Sequence, residues 1–314
     1  MENSVGQLNV VTGAFGFSGK YIARRLLASG ERVRTLTNHG GTSSLFEVAP
    51  LDFRRPQELV DNMAGATILY NTYWVRFAYG EVSHEKAVEN TSVLIRAAQQ
   101  AGIRRIVHVS ITNPSSDSPL PYFKGKATVE ETIRSSSLSY AILRPAVVFG
   151  KEDILINNIA WLLRRFPFFA IPGSGQYGLQ PIFVEDLAAL AVESGHRDEN
   201  LVLDAVGPET YEYKDLARLI RGTVNSHSRI FCAPPPLVRL ASWFLGHLVH
   251  DVLLTKDEVS GLMANLLVSK QPPIGRTSLR DWLRQNAQEI GMNYASEVAR
   301  HYGPNMSTLN AQLI

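Results

Sequence analysis

Along the first half of the chain, short runs of β-branched and apolar residues alternate with longer stretches whose apolar positions recur every three or four residues. The runs predict strands over Leu8–Thr12, Val33–Leu36, Thr67–Tyr70, Arg105–Ser110 and Tyr140–Leu143, with another in the EVAPLDF segment that ends at Phe53. The longer stretches predict helices. Phe17–Ser29 spaces Ile22, Ala23, Leu26 and Leu27 along one face and stops at Gly30, a residue suited to the left-handed position that closes a helix. His84–Ala101 places Val88, Thr91, Ile95 and Ala98 at helical spacing and stops at Gly102, and Tyr122–Ser135 is the third long helix. Alternation of this kind predicts an α/β fold: a doubly wound parallel sheet, covered on both faces, with its ligand beyond the carboxyl ends of the strands.

After Gly150 the alternation breaks down. Residues 167–178 read as loop, Gln180–Val184 as a strand, the residues from Glu185 as a helix, and Leu201–Val206 as another strand; both strands are expected to return to the main sheet. From residue 209 the pattern is mainly helical, interrupted by CAPPPL and KQPPIG. The expected division is a sheet domain of residues 1–150 plus 179–208 and a smaller, mainly helical cap of 151–178 plus 209–314, with a small-molecule substrate entering between them. The most apolar segment is PLVRLASWFLGHLVHDVLL, residues 236–254. Arg239, His247, His250 and Asp251 interrupt it, so no membrane span is expected. A helix that is buried or faces a second copy is preferred there over one on a membrane surface.

Composition narrows the function classes. The chain has 314 residues, 45% hydrophobic and 19% charged, enough apolar material for a sizeable core in one large or two ordinary domains. Lys and Arg number 31 against 29 acidic residues, a formal net charge of +2 with no basic stripe, so nucleic acid is not an expected partner. Cys232 is the single cysteine and rules out an internal disulfide. The chain also enters its first strand without the basic and apolar regions of a signal peptide. Together these two features set the expectation of a cytoplasmic, reducing location. His247-x-x-His250 lacks a third ligand at any recognisable spacing, and no metal is expected.

The most specific chemistry lies at the amino end. VTGAFGFSGK spaces Gly13, Gly16 and Gly19 three apart, between the first strand and the first helix. Such a turn lets the backbone approach a pyrophosphate with no Cβ in the way, and aims helix N-terminal N–H groups at the negative charge. The expected ligand is a dinucleotide, NAD or NADP. An NAD-preferring turn places an acid at the end of the second strand for the ribose hydroxyls. Here the residues are Thr37-Asn38-His39, which would not repel a 2′-phosphate yet offer no arginine to clamp it. The balance leans to NADP. Asp52 either accepts a bond from the adenine amino group or is a surface turn aspartate.

With PYFKGKATVEETIR and SYAILRPAVVFG, the glycine turn resembles the short-chain dehydrogenase/reductase superfamily, in its extended and atypical branches. Those branches include nucleotide-sugar epimerases and dehydratases, the regulators related to the nitrogen-metabolite repressor, and the NAD(P)-binding accessory subunit of respiratory complex I. NTSVLIRAAQQAGIRRIVHVS and LQPIFVEDLA extend the likeness over most of the chain, and the C-terminal TSLRDWLRQNAQEIGMNYASEVARHY is similar to the complex-I group. The resemblance implies a Rossmann domain, and a Tyr-x-x-x-Lys pair that falls on Tyr122 and Lys126. Residues four apart share one helix face, so the ammonium can sit below the phenol and favour its phenolate. The pair would then move a hydroxyl proton while hydride passes to or from the nicotinamide. Lys126 would also bond the nicotinamide ribose. The resemblance further assigns coenzyme contacts to Thr12, Phe15, Phe17, Asn38, His39, Phe53, Asn71, Thr72, Tyr73, Asn90, Val109, Ser110, Pro145 and Val148, beside the three glycines and Asp52.

Two departures from the family pattern bear on activity. Where many extended members carry the catalytic hydroxyl, this chain has Ile111, flanked by Ser110 and Thr112, either of which could serve in its place. After the fourth strand, where small residues are usual, the chain reads NTYWVRF, with Tyr73, Trp74 and Phe77 either walling the nicotinamide or packing a loop. Asn90 and Thr91 match either the family's polar contact or helix packing; Pro145 lies either near the carboxamide or simply at a rigid strand end. The expected function is an NAD(P)-dependent oxidoreductase or epimerase/dehydratase-like enzyme. The alternative is an NAD(P)H-binding regulator or assembly protein without turnover. Family members often dimerise through the helix carrying the tyrosine and the helix before it, which implies a homodimer.

Overall fold

The computed structural model describes residues 6–38, 41–78, 80 and 82–302. The described residues divide into two compact units, one of residues up to Arg144 with Leu187–Leu203, the other of Pro145–Asp186 with residues 204–302.

In chain order the first unit runs β1 (Leu8–Thr12), α1 (Phe17–Ala28), β2 (Arg32–Thr37), β3 (Glu47–Pro50), α2 (Pro56–Met63), β4 (Ile68–Asn71), α3 (His84–Gln100), β5 (Arg105–Val109), α4 (Pro121–Arg134) and β6 (Ser139–Leu143). The following elements are β7 (Val147–Phe149), α5 (Leu155–Arg165), β8 (Phe168–Pro172), β9 (Gly178–Leu179), β10 (Pro181–Phe183), α6 (Val184–Gly195) and β11 (Leu201–Leu203). They are succeeded by β12 (Tyr211–Glu212), α7 (Tyr213–Thr223), β13 (Arg229–Ala233), α8 (Pro235–Val249), α9 (Lys256–Met263), α10 (Leu279–Gln285) and α11 (Glu297–Tyr302).

Seven strands form one parallel sheet in the order β11-β6-β5-β4-β1-β2-β3, the doubly wound arrangement expected. Every residue of β1 is buried, which is why LNVVT reads as an apolar run and not an alternation. Leu8, Val10 and Leu36 meet Leu59, Leu94, Val129 and Ile133 in one core cluster. The strand order reverses between β1 and β4, and a crevice at such a switch point, beyond the strand ends, is where an open α/β sheet takes its ligand.

Of the two later strands expected in that sheet, only β11 joins it. β10 pairs with β7 inside the second unit. That unit gathers Phe149, Ile159, Leu163, Leu216, Ile220, Trp282 and Leu283 into its own core. Among the described residues, no helix is long and apolar enough to cross a membrane. Of the two expectations for this segment, a buried helix or one facing a second copy, α8 departs from the first: of its apolar residues, only Val238 and Gly246 are buried.

Candidate functional site

The glycine turn has the geometry its spacing predicts. Gly13 has φ +69°, a left-handed conformation that an L side chain strains to adopt, and its N–H donates to the Leu36 carbonyl at 2.9 Å. Gly19 is glycine for a different reason: a Cβ there would lie 2.2 Å from the Gly13 carbonyl oxygen, so only a bare Cα lets α1 start this close to the turn. Gly16 is the N-cap of α1, with no side-chain cap and no acid in the first turn. An uncapped, acid-free helix start over a Cβ-free cradle suits an anion. The residues present therefore fit a dinucleotide's pyrophosphate.

Thr12 ties this turn to the end of β4. Its hydroxyl donates to Asn71 Oδ1 at 3.2 Å and accepts from the N–H groups of Thr72 and Tyr73 at 2.8 and 3.1 Å, while Thr72 Oγ1 donates to the Thr12 carbonyl at 2.6 Å. Asn71 Oδ1 also accepts from the Tyr73 N–H, so its Nδ2 faces His108 Nδ1 at 3.1 Å. Nδ1 must therefore accept, which assigns the proton to Nε2. Burial, aided by nearby Lys126, keeps His108 neutral, well below its usual titration range. Its Nε2 finds no partner among the described residues. Tyr73 stacks on Phe53, ring centroids 4.8 Å apart, and its hydroxyl accepts from Asn90 Nδ2 at 2.9 Å. Thr12, Phe53, Asn71, Thr72, Tyr73 and Asn90 thus form one connected rim.

Other candidate contacts are placed differently. Phe15 packs on Phe46 at 5.5 Å, and its ring lies so close to Gly41 that a Cβ there would come within 2.8 Å. Phe17 lies edge-on to Tyr21, and Asn38 is exposed. Asp52 is engaged as a turn aspartate: it accepts from the Arg54 N–H at 3.0 Å and pairs with the side chains of Arg54 and Arg55. Arg54 holds its carboxyl below the ordinary aspartate value. His39 lies outside the described residues, and Pro145 and Val148 belong to the second unit.

Around α4 the reactive types are all present but already partnered. Lys126 is buried, and its Nζ donates to the Val109 carbonyl at 2.8 Å. The same Nζ lies 4.4 Å from the centre of the Trp74 ring. Burial brings the ammonium from its ordinary 10.5 down to about 7. Trp74 in turn stacks on His84 at 6.1 Å and 15°, and Tyr122 stands edge-on to both rings. Gly125 admits this indole, since a Cβ there would meet Trp74 Cη2 at 3.0 Å. Ser110 donates its hydroxyl to Glu130 Oε1 at 2.6 Å, and Glu130 also takes both arms of Arg144. Thr112 is fully buried, and Ile111 is buried beside it.

Sequence reasoning singled out Tyr122, Lys126 and the aromatic loop but missed Gly125, His84, His108 and Glu130. A glycine inside a helix, immediately before the lysine, was the available signal: it weakens the helix unless something packs against it. Among the described residues, no three His, Cys, Asp or Glu side chains gather as a metal site.

Residues 13–155 match a family model described as NAD(P)H-binding. The mitochondrial NADH dehydrogenase [ubiquinone] 1 alpha subcomplex subunit 9 of Arabidopsis thaliana is 25% identical over 292 residues, covering 84% of this chain and 71% of that one. The mitochondrial NADH-ubiquinone oxidoreductase 40 kDa subunit of Neurospora crassa is 24% identical, with 81% and 70% covered. Among solved structures, an NADPH-dependent quinone oxidoreductase of Escherichia coli superposes with a TM-score of 0.70 at 18% identity over 88% of this chain and 99% of that one. UDP-glucose 4-epimerase of Thermotoga maritima gives 0.66 at 15% identity, with 90% and 98% covered. At such identities these two show the shared fold.

The relatives overturn the expected cytoplasmic location, because they are mitochondrial subunits. The physical reason for the error is that a lone cysteine is compatible with any reducing compartment and distinguishes none of them. Residues 13–155 thus match an NAD(P)H-binding family model, the chain as a whole is similar to subunits of mitochondrial NADH-ubiquinone oxidoreductase, and it shares a Rossmann-like α/β fold with a nucleotide-sugar epimerase and an NADPH-dependent quinone oxidoreductase.

Proposed function

We propose that this protein is a dinucleotide-holding subunit or assembly factor, which binds NAD(P)H through the glycine turn without turning it over. One observation carries this reading: the Lys126 ammonium is buried against the Val109 carbonyl and covered by the Trp74 indole. A lysine so engaged must break an internal hydrogen bond and leave an aromatic face before it can bond a ribose. The hydroxyl that would hold a substrate oxygen is compromised as well, since Ser110 is given to Glu130 and its successor is Ile111. When bound, the coenzyme would supply hydride chemistry; the residues of the turn would fix its pyrophosphate, and the Thr12–Asn71–Tyr73 rim would border it.

The relatives' names make them parts of a larger respiratory enzyme, which favours protein partners and a mitochondrial setting over a free enzyme with a small substrate. The expected homodimer is not part of this reading. The exposed positions of α3 and α4 are polar or charged, including Glu85, Lys86, Glu89, Arg96, Lys124, Thr128 and Glu131, and no large apolar side chain of either helix is exposed. NADP(H) is the preferred form, because neither Thr37 nor Asn38 presents a carboxylate to a 2′-phosphate.

The test is titration calorimetry with NADPH and NADH on the wild type and Lys126→Met. The holding role predicts binding that changes less than about twofold in the variant, since no ribose bond is lost. A tenfold loss of affinity, or single-turnover oxidation of bound NADPH by a quinone or carbonyl that Tyr122→Phe abolishes, would restore the reductase reading.

A further inference from the structure

β5 sets a polar side chain into the interior of the first unit. Residues two apart on a strand share a face, so His108 points the same way as Ile106, which packs with Leu69, Val129 and Ile133. His108 is fully buried. An aliphatic side chain is the ordinary choice at such a position. The imidazole instead keeps an Nε2–H with no acceptor among the described residues, and a buried donor without a partner costs stability. A cost borne at one core position points to a purpose other than packing.

The other ring nitrogen shows that purpose. Nδ1 accepts from Asn71 Nδ2 at 3.1 Å, across the β4–β5 pairing that sets Asn71 opposite His108. Asn71 Oδ1 faces the rim, where the Tyr73 N–H and the Thr12 hydroxyl donate to it at 3.0 and 3.2 Å. The Asn71 NH2 is thereby turned inward. Asn71 has no exposed surface, so that group needs an acceptor, and His108 supplies it. Rotated by half a turn, the amide would set its NH2 against the Tyr73 N–H, donor facing donor. A cationic His108 could not accept at all, and the burial and nearby Lys126 that hold it neutral keep Nδ1 available.

The effect reaches the backbone beside the glycine turn. Thr12 accepts from the N–H groups of Thr72 and Tyr73 at 2.8 and 3.1 Å, and the next residue after Thr12 is Gly13. A Cβ on Gly13 would lie 3.7 Å from Thr72 Oγ1, so the segment that Asn71 orders directly adjoins the phosphate cradle. We propose that His108 is a positioning residue for dinucleotide binding: through the Asn71 amide it fixes the backbone of Thr72 and Tyr73 against Thr12, at the rim of the glycine turn. The inference rests on the dinucleotide-holding reading and adds to it a residue that touches no ligand.

A double-variant cycle tests it, with NADPH affinity read by calorimetry on His108→Leu, Asn71→Leu and the pair. His108→Leu lowers affinity about fivefold, the worth of one net hydrogen bond. Asn71→Leu lowers it at least as much, and the pair loses no more than Asn71→Leu alone, because His108 acts only through that amide. His108→Asn, whose side-chain oxygen can take the place of Nδ1, brings affinity back to within about twofold of the wild type. A merely structural histidine would not be rescued by this smaller side chain, which leaves a cavity. Exchange of the Tyr73 amide proton, followed by NMR without coenzyme, speeds up in His108→Leu and slows again in His108→Asn. Circular dichroism melts verify folding, with His108→Phe, a ring without an acceptor, used should leucine unfold the chain. Unchanged affinity in the leucine or phenylalanine variant overturns the proposal, as do full additivity in the cycle and failure of His108→Asn to recover affinity. A wild type that binds neither coenzyme refutes the holding reading; the Tyr73 exchange rates then decide whether His108 orders this backbone, and rates equal in all variants overturn that as well.

Discussion

Replacing Lys126 with methionine tests the electrostatics of the site without any knowledge of a substrate. The side chains are similar in length, so the main change is removal of a charge held where little solvent reaches it. Burial brings the ammonium from 10.5 to about 7. At 1.36 kcal/mol for each tenfold change in proton affinity, this corresponds to about 5 kcal/mol of folding free energy. The sign follows from proton counting. Between pH 7 and 10.5 the unfolded lysine stays protonated while the folded one does not, so the unfolded state binds more protons and stability rises with pH. Below pH 7 both states are protonated and the full cost is present. Against this stand the bond to the Val109 carbonyl and the Trp74 face, together worth about 1–3 kcal/mol. K126M should therefore be more stable than the wild type by about 2–4 kcal/mol at pH 6, and the gap should close and reverse on approaching pH 10.5. Urea unfolding across that range, at matched m-values, measures the difference. A difference that stays constant with pH would show that the ammonium is not desolvated, and the account of Lys126 as a buried charge would be wrong.

Three further outcomes are expected. Gly13→Val should abolish binding of both coenzymes, measured by calorimetry, and should cost about 1–2 kcal/mol in stability because φ is +69°. Gly19→Ala should weaken binding at least as strongly with a smaller side chain, because the added Cβ lands 2.2 Å from the Gly13 carbonyl and forces α1 away from the turn; unchanged affinity would show that the helix start does not touch the ligand. Burial raises the Asp153 carboxyl to about 7 despite the N–H groups of Gly150, Ile156 and Asn157 that favour its charge. The folded chain therefore keeps that proton between about pH 4 and 7 while the unfolded chain loses it, so the wild type should lose stability relative to Asp153→Asn as pH rises through that window, as read by thermal melts.

The sheet was legible because its central strands β1, β4 and β5 are buried on both faces and α1 and α3 end at glycines. β1 occupies Leu8–Thr12, α1 begins at Phe17, and β5 and β6 fall within a residue of their expected bounds. Gly30 and Gly102 both have φ +78° just past the helix ends they were expected to close. Pairing was less legible. Of the expected strand Gln180–Val184, Pro181–Phe183 is extended while Val184 already opens α6, and local pattern does not say which neighbour a short strand takes: packing in the second unit gave it to β7. α8 shows a related gap: apolar periodicity identifies the face that avoids water without saying whether the chain itself covers it. At the site, the glycine turn was readable because its spacing is a backbone demand. The state of Lys126 was not, because it depends on where Trp74, 52 residues away in sequence, places its ring.

That dependence separates holding a coenzyme from acting with it. At the turn, the start of α1 has no side-chain cap and no acid, so an arriving anion displaces no capping side chain and meets no carboxylate. Beside α4 three polar groups have an internal alternative: Lys126 has Val109 and Trp74, Ser110 has Glu130, and Glu130 has Arg144. Each exchange costs about 1 kcal/mol or more before a ligand gains anything, and two together lower the reactive population about thirtyfold or more. A Tyr-x-x-x-Lys motif can therefore persist on the proper helix face while its chemistry is suppressed by a single aromatic residue from another element. On the proposed reading, Gly125 is the residue that makes this possible, because any side chain there would press on the indole that covers the lysine.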